Sequence, residues 1–250
     1  MKKEISLEGK RILVTGGATG LGYGIAAECR DSGAEVIIGG RREELLRKAA
    51  SELGVSWFPL DVADDKGIPA AAAEMQKRFG PFDGLVNNAG IQNNKEALDY
   101  TVEEFRPIFE TNVFGAFALT KEIAAGMLER RRGSIVFISS AAAHMGVTKN
   151  LPYTGSKGAV SAMCRALASE FSPKGVRVNA IAPGWIETDL VKISLERVPE
   201  RRALVERRSM LGRLGTPGDI GMCAVFLLSE ASAYITAMEI KVDGGTMVSL

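Results

Sequence analysis

A chain of 250 residues, 46% apolar and 24% charged, is long enough for one large soluble domain with a substantial core. Its formal charge of +1 gives no electrostatic reason for a nucleic-acid or anionic-membrane partner, and no run reaches the roughly 18–20 apolar residues of a membrane span. The opening Met1-Lys2-Lys3-Glu4-Ile5-Ser6 has no apolar core behind it, and Cys29, Cys164 and Cys223 lie far apart; a cytoplasmic protein with reduced thiols and no bound metal is expected.

Short runs rich in Val and Ile alternate with longer stretches of helical spacing. In chain order the pattern predicts a strand over 11–15, a helix over 21–32, a strand over 35–39 and a helix over 43–53. A strand over 55–60, a helix over 68–79, a strand over 84–87 and one long helix over 102–130 follow. The chain closes with a strand over 134–139, a helix over 153–171, a strand over 176–181, a helix over 218–229 and a strand over 239–242. Strand–helix–strand repetition calls for an α/β fold of the Rossmann type: a doubly wound parallel sheet of about seven strands with helices on both faces. No linker or composition break divides the chain, so 1–250 is expected to be a single dinucleotide-binding domain. The charged, weakly periodic segment 188–214 interrupts the rhythm between the last two strands and is expected to be a mobile lid over a site.

The first strand runs into Thr15-Gly16-Gly17-Ala18-Thr19-Gly20-Leu21-Gly22, and a helix follows at once. Glycines allow the tight turn and a close approach to a pyrophosphate, and the helix start offers free N–H groups. At the end of the second strand an acid would accept from an adenosine ribose 2′-hydroxyl and favour NAD. This chain has Ile38-Gly39-Gly40-Arg41-Arg42 there instead. Two guanidiniums suit a 2′-phosphate, so NADP(H) is favoured over NAD(H); the alternative is that they only solvate the next helix. Asp61-Val62 and Asn88-Ala89-Gly90 close the third and fourth strands, where ligands sit in open α/β sheets, although both fit plain caps or turns as well.

Tyr153 and Lys157 stand at i and i+4 on one face of a predicted helix. A cation beside a phenol favours the phenolate and lowers its pKa, making it a general acid or base. Ser140, at the end of the fifth strand, could hold a carbonyl oxygen in line with the Tyr proton, or be a simple cap. Asn112 lies inside the long predicted helix, either solvated or buried for a reason.

The glycine pattern Gly16-x3-Gly20-x-Gly22 resembles that of the classical short-chain dehydrogenase/reductase family, and the likeness runs from Lys10 to Gly245. It includes Asn112-Val113, Ser140, Tyr153-x3-Lys157, Pro183-Gly184-Trp185-Ile186-Glu187-Thr188 and Val242-Asp243-Gly244-Gly245. The resemblance implies an NADP(H)-dependent oxidoreductase moving hydride between nicotinamide C4 and a carbonyl or secondary alcohol. It implies catalytic roles for Asn112, Ser140, Tyr153 and Lys157. It also places Gly16, Thr19, Gly20, Leu21, Gly22, Asp61, Val62, Asn88, Ala89, Gly90, Pro183, Gly184, Ile186 and Thr188 along the cofactor. Ile235-Thr236-Ala237 departs from the family's usual Ile-Thr-Gly.

The substrate stays open. Arg131 and Lys174 resemble positions at which 3-oxoacyl-carrier-protein reductases meet an acidic carrier, whereas Ile91-Gln92-Asn93-Asn94 looks more like the sugar-acid and polyol dehydrogenases. His144, the single histidine, follows Ser140 and either contacts substrate, responds to pH or has no role. A non-catalytic cofactor-binding sensor and an extended nucleotide-sugar epimerase are the rival classes. The intact Ser140, Tyr153 and Lys157 oppose the first, and the short region after Pro183 opposes the second. Small residues at Gly115, Ala116, Ala118, Ala124, Ala159, Ala162, Ala166 and Ala168, with the family's habit of pairing these two helices, imply a homotetramer.

Overall fold

Three apolar residues in a row, Ile12, Leu13 and Val14, are fully buried in strand β1 (Arg11–Thr15), as expected of a strand covered on both faces. The computed structural model describes residues 5–188, 191 and 199–249, with backbone alone at 199–201. Six further strands join β1: β2 (Glu35–Gly40), β3 (Ser56–Pro59), β4 (Gly84–Asn87), β5 (Gly133–Ile138), β6 (Val176–Pro183) and β7 (Glu239–Val242). All pair in parallel, in the order β3-β2-β1-β4-β5-β6-β7. The order reverses between β1 and β4, which opens a crevice above their carboxyl ends.

The helices are α1 (Gly20–Asp31), α2 (Glu43–Leu53), α3 (Ile68–Phe79), α4 (Val102–Phe109), α5 (Ala116–Glu129), α6 (Leu151–Phe171), α7 (Pro199–Arg208) and α8 (Pro217–Leu228). Two apolar layers hold them to the sheet. On one face Met75 of α3, Leu119 and Ile123 of α5 and Val160 and Cys164 of α6 cover Leu13, Leu85 and Phe137. On the other, Ile25 of α1, Leu46 of α2 and Ile220 and Val225 of α8 cover Ile12, Val14, Val86 and Ile181. Burying the opposite sides of the same strands is what makes the sheet doubly wound. Capping defines the helix starts: Thr216 Oγ1 accepts from Asp219 N (3.2 Å), while the Asp219 carboxylate accepts from Thr216 N (2.7 Å).

Two segments differ from the sequence expectation. The helix expected over 102–130 is interrupted by a π-helical turn, Glu110–Gly115, between α4 and α5. Pro107 removes a backbone donor just upstream, and at Gly115 a Cβ would collide with the Val62 carbonyl. The second difference lies within the expected lid, 188–214, of which 189–190 and 192–198 fall outside the described residues. It contains α7, whose sequence PERRALVERR is six-tenths charged and carries almost no apolar stripe. Val205 of α7 instead joins Leu214, Trp185 and Val191 in a small separate cluster.

Candidate active site

A cleft of about 630 Å³ opens over the carboxyl ends of the strands. Its floor is the turn from β1 to α1. Gly20 takes a left-handed φ of +56°, which other residues resist, and a side chain at Gly22 would collide with the Gly16 carbonyl. Thr19 stands extended at the α1 N-cap with no side-chain bond to the helix, and no acid occupies the first turn. The N–H groups and positive dipole end of α1 therefore face the cleft without a competing carboxylate. Asn88 braces this loop: its Nδ2 donates to Thr15 O (2.8 Å) and Gly16 O (3.3 Å). Thr15 Oγ1 accepts from Asn88 N and Ala89 N, both at 3.0 Å. Asn88 and Ala89 thus hold the glycine loop to β4 as well as lining the cleft, and Thr15 is a site residue that the motif reading passed over.

At one end of the cleft Arg41 and Arg42 are exposed, and Arg42 Nη2 donates to Thr19 Oγ1 at 3.4 Å. The carboxylates that follow, Glu43 and Glu44, open α2 and do not line the cleft. Asp61 and buried Val62 line the same end. Asp61 Oδ1 also accepts from Ala63 N at 3.0 Å, so it closes a turn while facing the cleft.

At the other end Ser139, Ser140, Tyr153 and Lys157 meet. β5 delivers Ser140 at its carboxyl end, and α6 presents Tyr153 and Lys157 one turn apart. Lys157 is buried, its Nζ donates to Ile138 O at 2.7 Å, and it lies 5.5 Å from the centre of the Tyr153 ring. Burial lowers its pKa from the ordinary 10.5 to about 8. The expected lowering of the Tyr153 pKa does not follow. Burial raises it, and a hydrogen bond with Ser140 offsets the rise only in part. The ammonium is engaged by the Ile138 carbonyl and sits over the ring, so desolvation of the phenolate dominates. Ser140 Oγ accepts from Ala142 N (3.1 Å), capping a short turn, and the residue also lines the cleft.

Asn112 is not solvated. Within the π-turn it is 2% exposed, its Oδ1 accepts from Ile91 N (2.8 Å), and its Nδ2 donates to Ile91 O (2.9 Å) and Ser156 Oγ (3.0 Å). It lies behind the cleft wall and ties the segment after Gly90 to α6. Gly90 fills the space between, since a Cβ there would stand 3.2 Å from Asn112 Oδ1 and 3.6 Å from Lys157 Nζ. Pro183, Gly184, Ile186 and Thr188 line the wall above β6. Glu187 N donates to Gly215 O at 2.8 Å, pinning that wall to the far end of the lid segment.

His144 does not line the cleft; its Nε2 meets Glu239 Oε2 at 3.0 Å. Arg131 and Lys174 stand at the amino ends of β5 and β6, on the side of the sheet away from the cleft. Sequence reasoning also missed Asn150, whose Nδ2 donates to Gln92 Oε1 (3.1 Å) beside Tyr153, and Glu239. Neither belongs to a motif, and both acquire partners only through folding.

The model of the family described as Enoyl-(Acyl carrier protein) reductase matches residues 16–247. The chain is 40% identical over 242 residues to L-fucose dehydrogenase of Oryctolagus cuniculus, covering 95% of this chain and 84% of the relative. It is 32% identical over 247 residues to 3-oxoacyl-[acyl-carrier-protein] reductase of Chlamydia pneumoniae, covering 97% and 98%. Among solved structures, gluconate 5-dehydrogenase from Burkholderia cenocepacia in complex with NADP and tartrate superposes with a TM-score of 0.94. It is 28% identical, and the match covers 99% of each chain.

Proposed function

The chain belongs to the short-chain dehydrogenase/reductase family of oxidoreductases, which act on CH–OH and C=O groups, and from that premise we propose an NADP(H)-dependent dehydrogenase of a polyhydroxylated, sugar-type alcohol. The observation that carries the chemistry is the meeting of Ser140, Tyr153 and Lys157 at one end of a cleft whose other end is cationic. We read the whole chain as one such unit.

The cleft suits a nicotinamide dinucleotide phosphate. The positive φ at Gly20, the bare Gly22 and the uncontested start of α1 leave room and donors for a pyrophosphate. Arg41 and Arg42 would hold a 2′-phosphate, Asp61 and Val62 would flank the adenine, and Asn88, Ala89, Gly90, Pro183, Gly184, Ile186 and Thr188 would border the ribose and nicotinamide. When bound, the cofactor supplies or accepts the hydride. The protein moves the proton. Ser140 Oγ orients the substrate oxygen. Tyr153 Oη takes its proton in oxidation and returns it in reduction. Lys157, its pKa lowered by burial to about 8, would hold a ribose hydroxyl beside Tyr153. Asn112 keeps Ile91 and α6 in register behind them.

The substrate class rests on Gln92, which lines the cleft with its carbonyl held by Asn150, leaving its amide N–H groups to meet hydroxyls. Asn150 Oδ1 is buried and lacks a partner among the described residues. Lys157 is the sole cation at this end among the described lining residues, which favours an uncharged polyol over an acid. A 3-oxoacyl thioester is the second reading, favoured by Arg131, whose Nη2 reaches Pro173 O at 3.5 Å beside Lys174. A carrier docked there would stand about 20 Å from Ser140, the length of β5. We also propose a cytoplasmic homotetramer; among the described residues no helix is long and apolar enough to cross a membrane.

An activity screen with NADP(H) and NAD(H) against aldoses, keto sugar acids and acyl thioesters tests both parts. Turnover is expected with NADP+ and a neutral sugar. Removing both guanidiniums (Arg41→Ala with Arg42→Ala) should weaken NADPH about 10- to 150-fold and NADH little, the worth of a charged hydrogen bond to phosphate. Equal loss with both cofactors would remove the arginines from the phosphate site.

A further inference from the structure

One carboxylate outside the cleft grips both flanks of the turn that carries Ser140. Glu239 opens the edge strand β7, and its side chain is only 13% exposed. Its Oε2 meets His144 Nε2 at 3.0 Å, four residues after Ser140. Its Oε1 accepts from Ser161 Oγ at 2.8 Å. Ser161 Oγ in turn lies 2.8 Å from the hydroxyl of Ser139, the residue before Ser140.

The proton count gives this cluster a direction. Ser161 has one hydroxyl proton and three nearby acceptors: Glu239, Ser139 Oγ and Lys157 O at 3.0 Å. The ionised carboxylate is the strongest of the three, so Ser161 donates to Glu239. Ser139, with Lys157 O at 3.3 Å as its other acceptor, then donates to Ser161. His144 Nε2 stands 3.0 Å from the other carboxylate oxygen, within reach of it as a donor. The chain Ser139–Ser161–Glu239–His144 therefore closes a loop around Ser140, anchored at once on β7 and on α6, the helix of Tyr153 and Lys157.

We propose that Glu239 is a positioning residue for the reaction. With His144 as its outer arm, it sets the distance between Ser140 and Tyr153 without touching substrate or cofactor. This rests on Ser140 and Tyr153 acting as described under the proposed function. It assigns the single histidine a structural partner, and it accounts for a largely buried carboxylate that no step of the chemistry uses.

The clamp is tested first without turnover. The chain has one histidine, so a proton spectrum holds one imidazole set. A hydrogen-bonded Nε2–H should give a resolved, slowly exchanging resonance in the wild type and lose it in Glu239→Ala. Absence of that resonance in the wild type, or its survival in the variant, overturns the clamp even if no substrate has been found. Kinetics then test positioning. His144→Ala should lower kcat about 10-fold, the scale of one charged hydrogen bond. The Kd for NADPH should stay within about 2-fold, because neither His144 nor Glu239 lines the cofactor cleft. His144→Gln, which still carries a donor, should recover most of the loss. Glu239→Ala should resemble His144→Ala, and the double variant should be no worse than the poorer single one. Unchanged kcat in His144→Ala, no rescue by Gln, additive losses or an equal loss of NADPH binding would each overturn the role. Should Glu239→Ala not fold, Glu239→Gln and the two His144 variants carry the same comparisons. A Tyr153→Phe control separates the two ideas: if it retains activity the proposed chemistry fails, and if it alone loses activity only the clamp does.

Discussion

At the scale of single residues, the site depends on two groups whose burial shifts them in opposite senses. Tyr153→Phe keeps the ring and removes the proton. Turnover should fall at least about 100-fold while NADPH binding holds, since acid–base catalysis commonly supplies that much; steady-state kinetics beside a fluorescence titration check it. Lys157 makes a separate prediction for stability. Its folded pKa is about 8 against an ordinary 10.5. Between these values the unfolded chain holds a proton that the folded chain has released, so this group makes stability rise with pH across that window. Below about pH 8 the folded chain carries the full cost of a buried ammonium, on the order of 3 kcal/mol. The thiols work the other way: burial raises Cys29 and Cys164 to about 12 and Cys223 to about 11, so they lower stability as alkali ionises the unfolded chain. The difference between wild type and Lys157→Met isolates the lysine. In urea melts the Met variant should gain most near pH 7, with its margin closing towards pH 10; a margin independent of pH would contradict the assigned cause.

At the scale of elements, the strands and most helix bounds follow from apolar period and capping, because those signals are local. The break at Glu110–Gly115 does not, since it answers to the Val62 carbonyl that Gly115 packs against, from another part of the chain. The same holds for Asn112, whose role as a brace is visible only once Ile91 and Ser156 stand beside it. The turn into β7 gives an element-level prediction. Ala237, where the resembled family usually has Gly, takes a φ of +60°, and its N–H still donates to Val178 O at 2.8 Å. A Cβ resists that conformation by roughly 1–2 kcal/mol, while a glycine gives back part of the gain through its freer unfolded chain. Ala237→Gly should therefore stabilise the protein by up to about 1 kcal/mol, seen as a higher urea midpoint with an unchanged slope. A lower midpoint would show that the turn is not strained.

For the whole molecule, the small residues in and beside α5 and α6 run from buried, through half-buried Ala118 and Ala159, to outward-facing. Ala116, Ala124 and Ala168 are buried in the chain's own core, and Gly115, in the turn before α5, is buried against the Val62 carbonyl. Ala162 and Ala166 face outward, and Phe114 and Phe117 expose large apolar rings at 57% and 45%. Further exposed apolar side chains, Met238 at 54% and Val248 at 68%, lie at and beyond β7, a second face suited to pairing. Two such faces permit closed dihedral assembly. Light scattering should return a mass near four chains of 26.7 kDa. A mass near one chain, independent of concentration, would rule this out.

The sequence by itself determined the alternation of strand and helix, the parallel doubly wound sheet, the glycine loop, the arginines after β2 and the placing of Tyr153 and Lys157 on one helix face. Each rests on periodicity, turn chemistry or motif spacing, which a chain carries within a few residues. Only the tertiary structure decided that burial raises the Tyr153 pKa, that Asn112 faces inward, that His144 turns to Glu239, and that Arg131 and Lys174 lie across the sheet from the cleft. Those outcomes depend on desolvation and on partners from distant segments, and neither is encoded in local spacing.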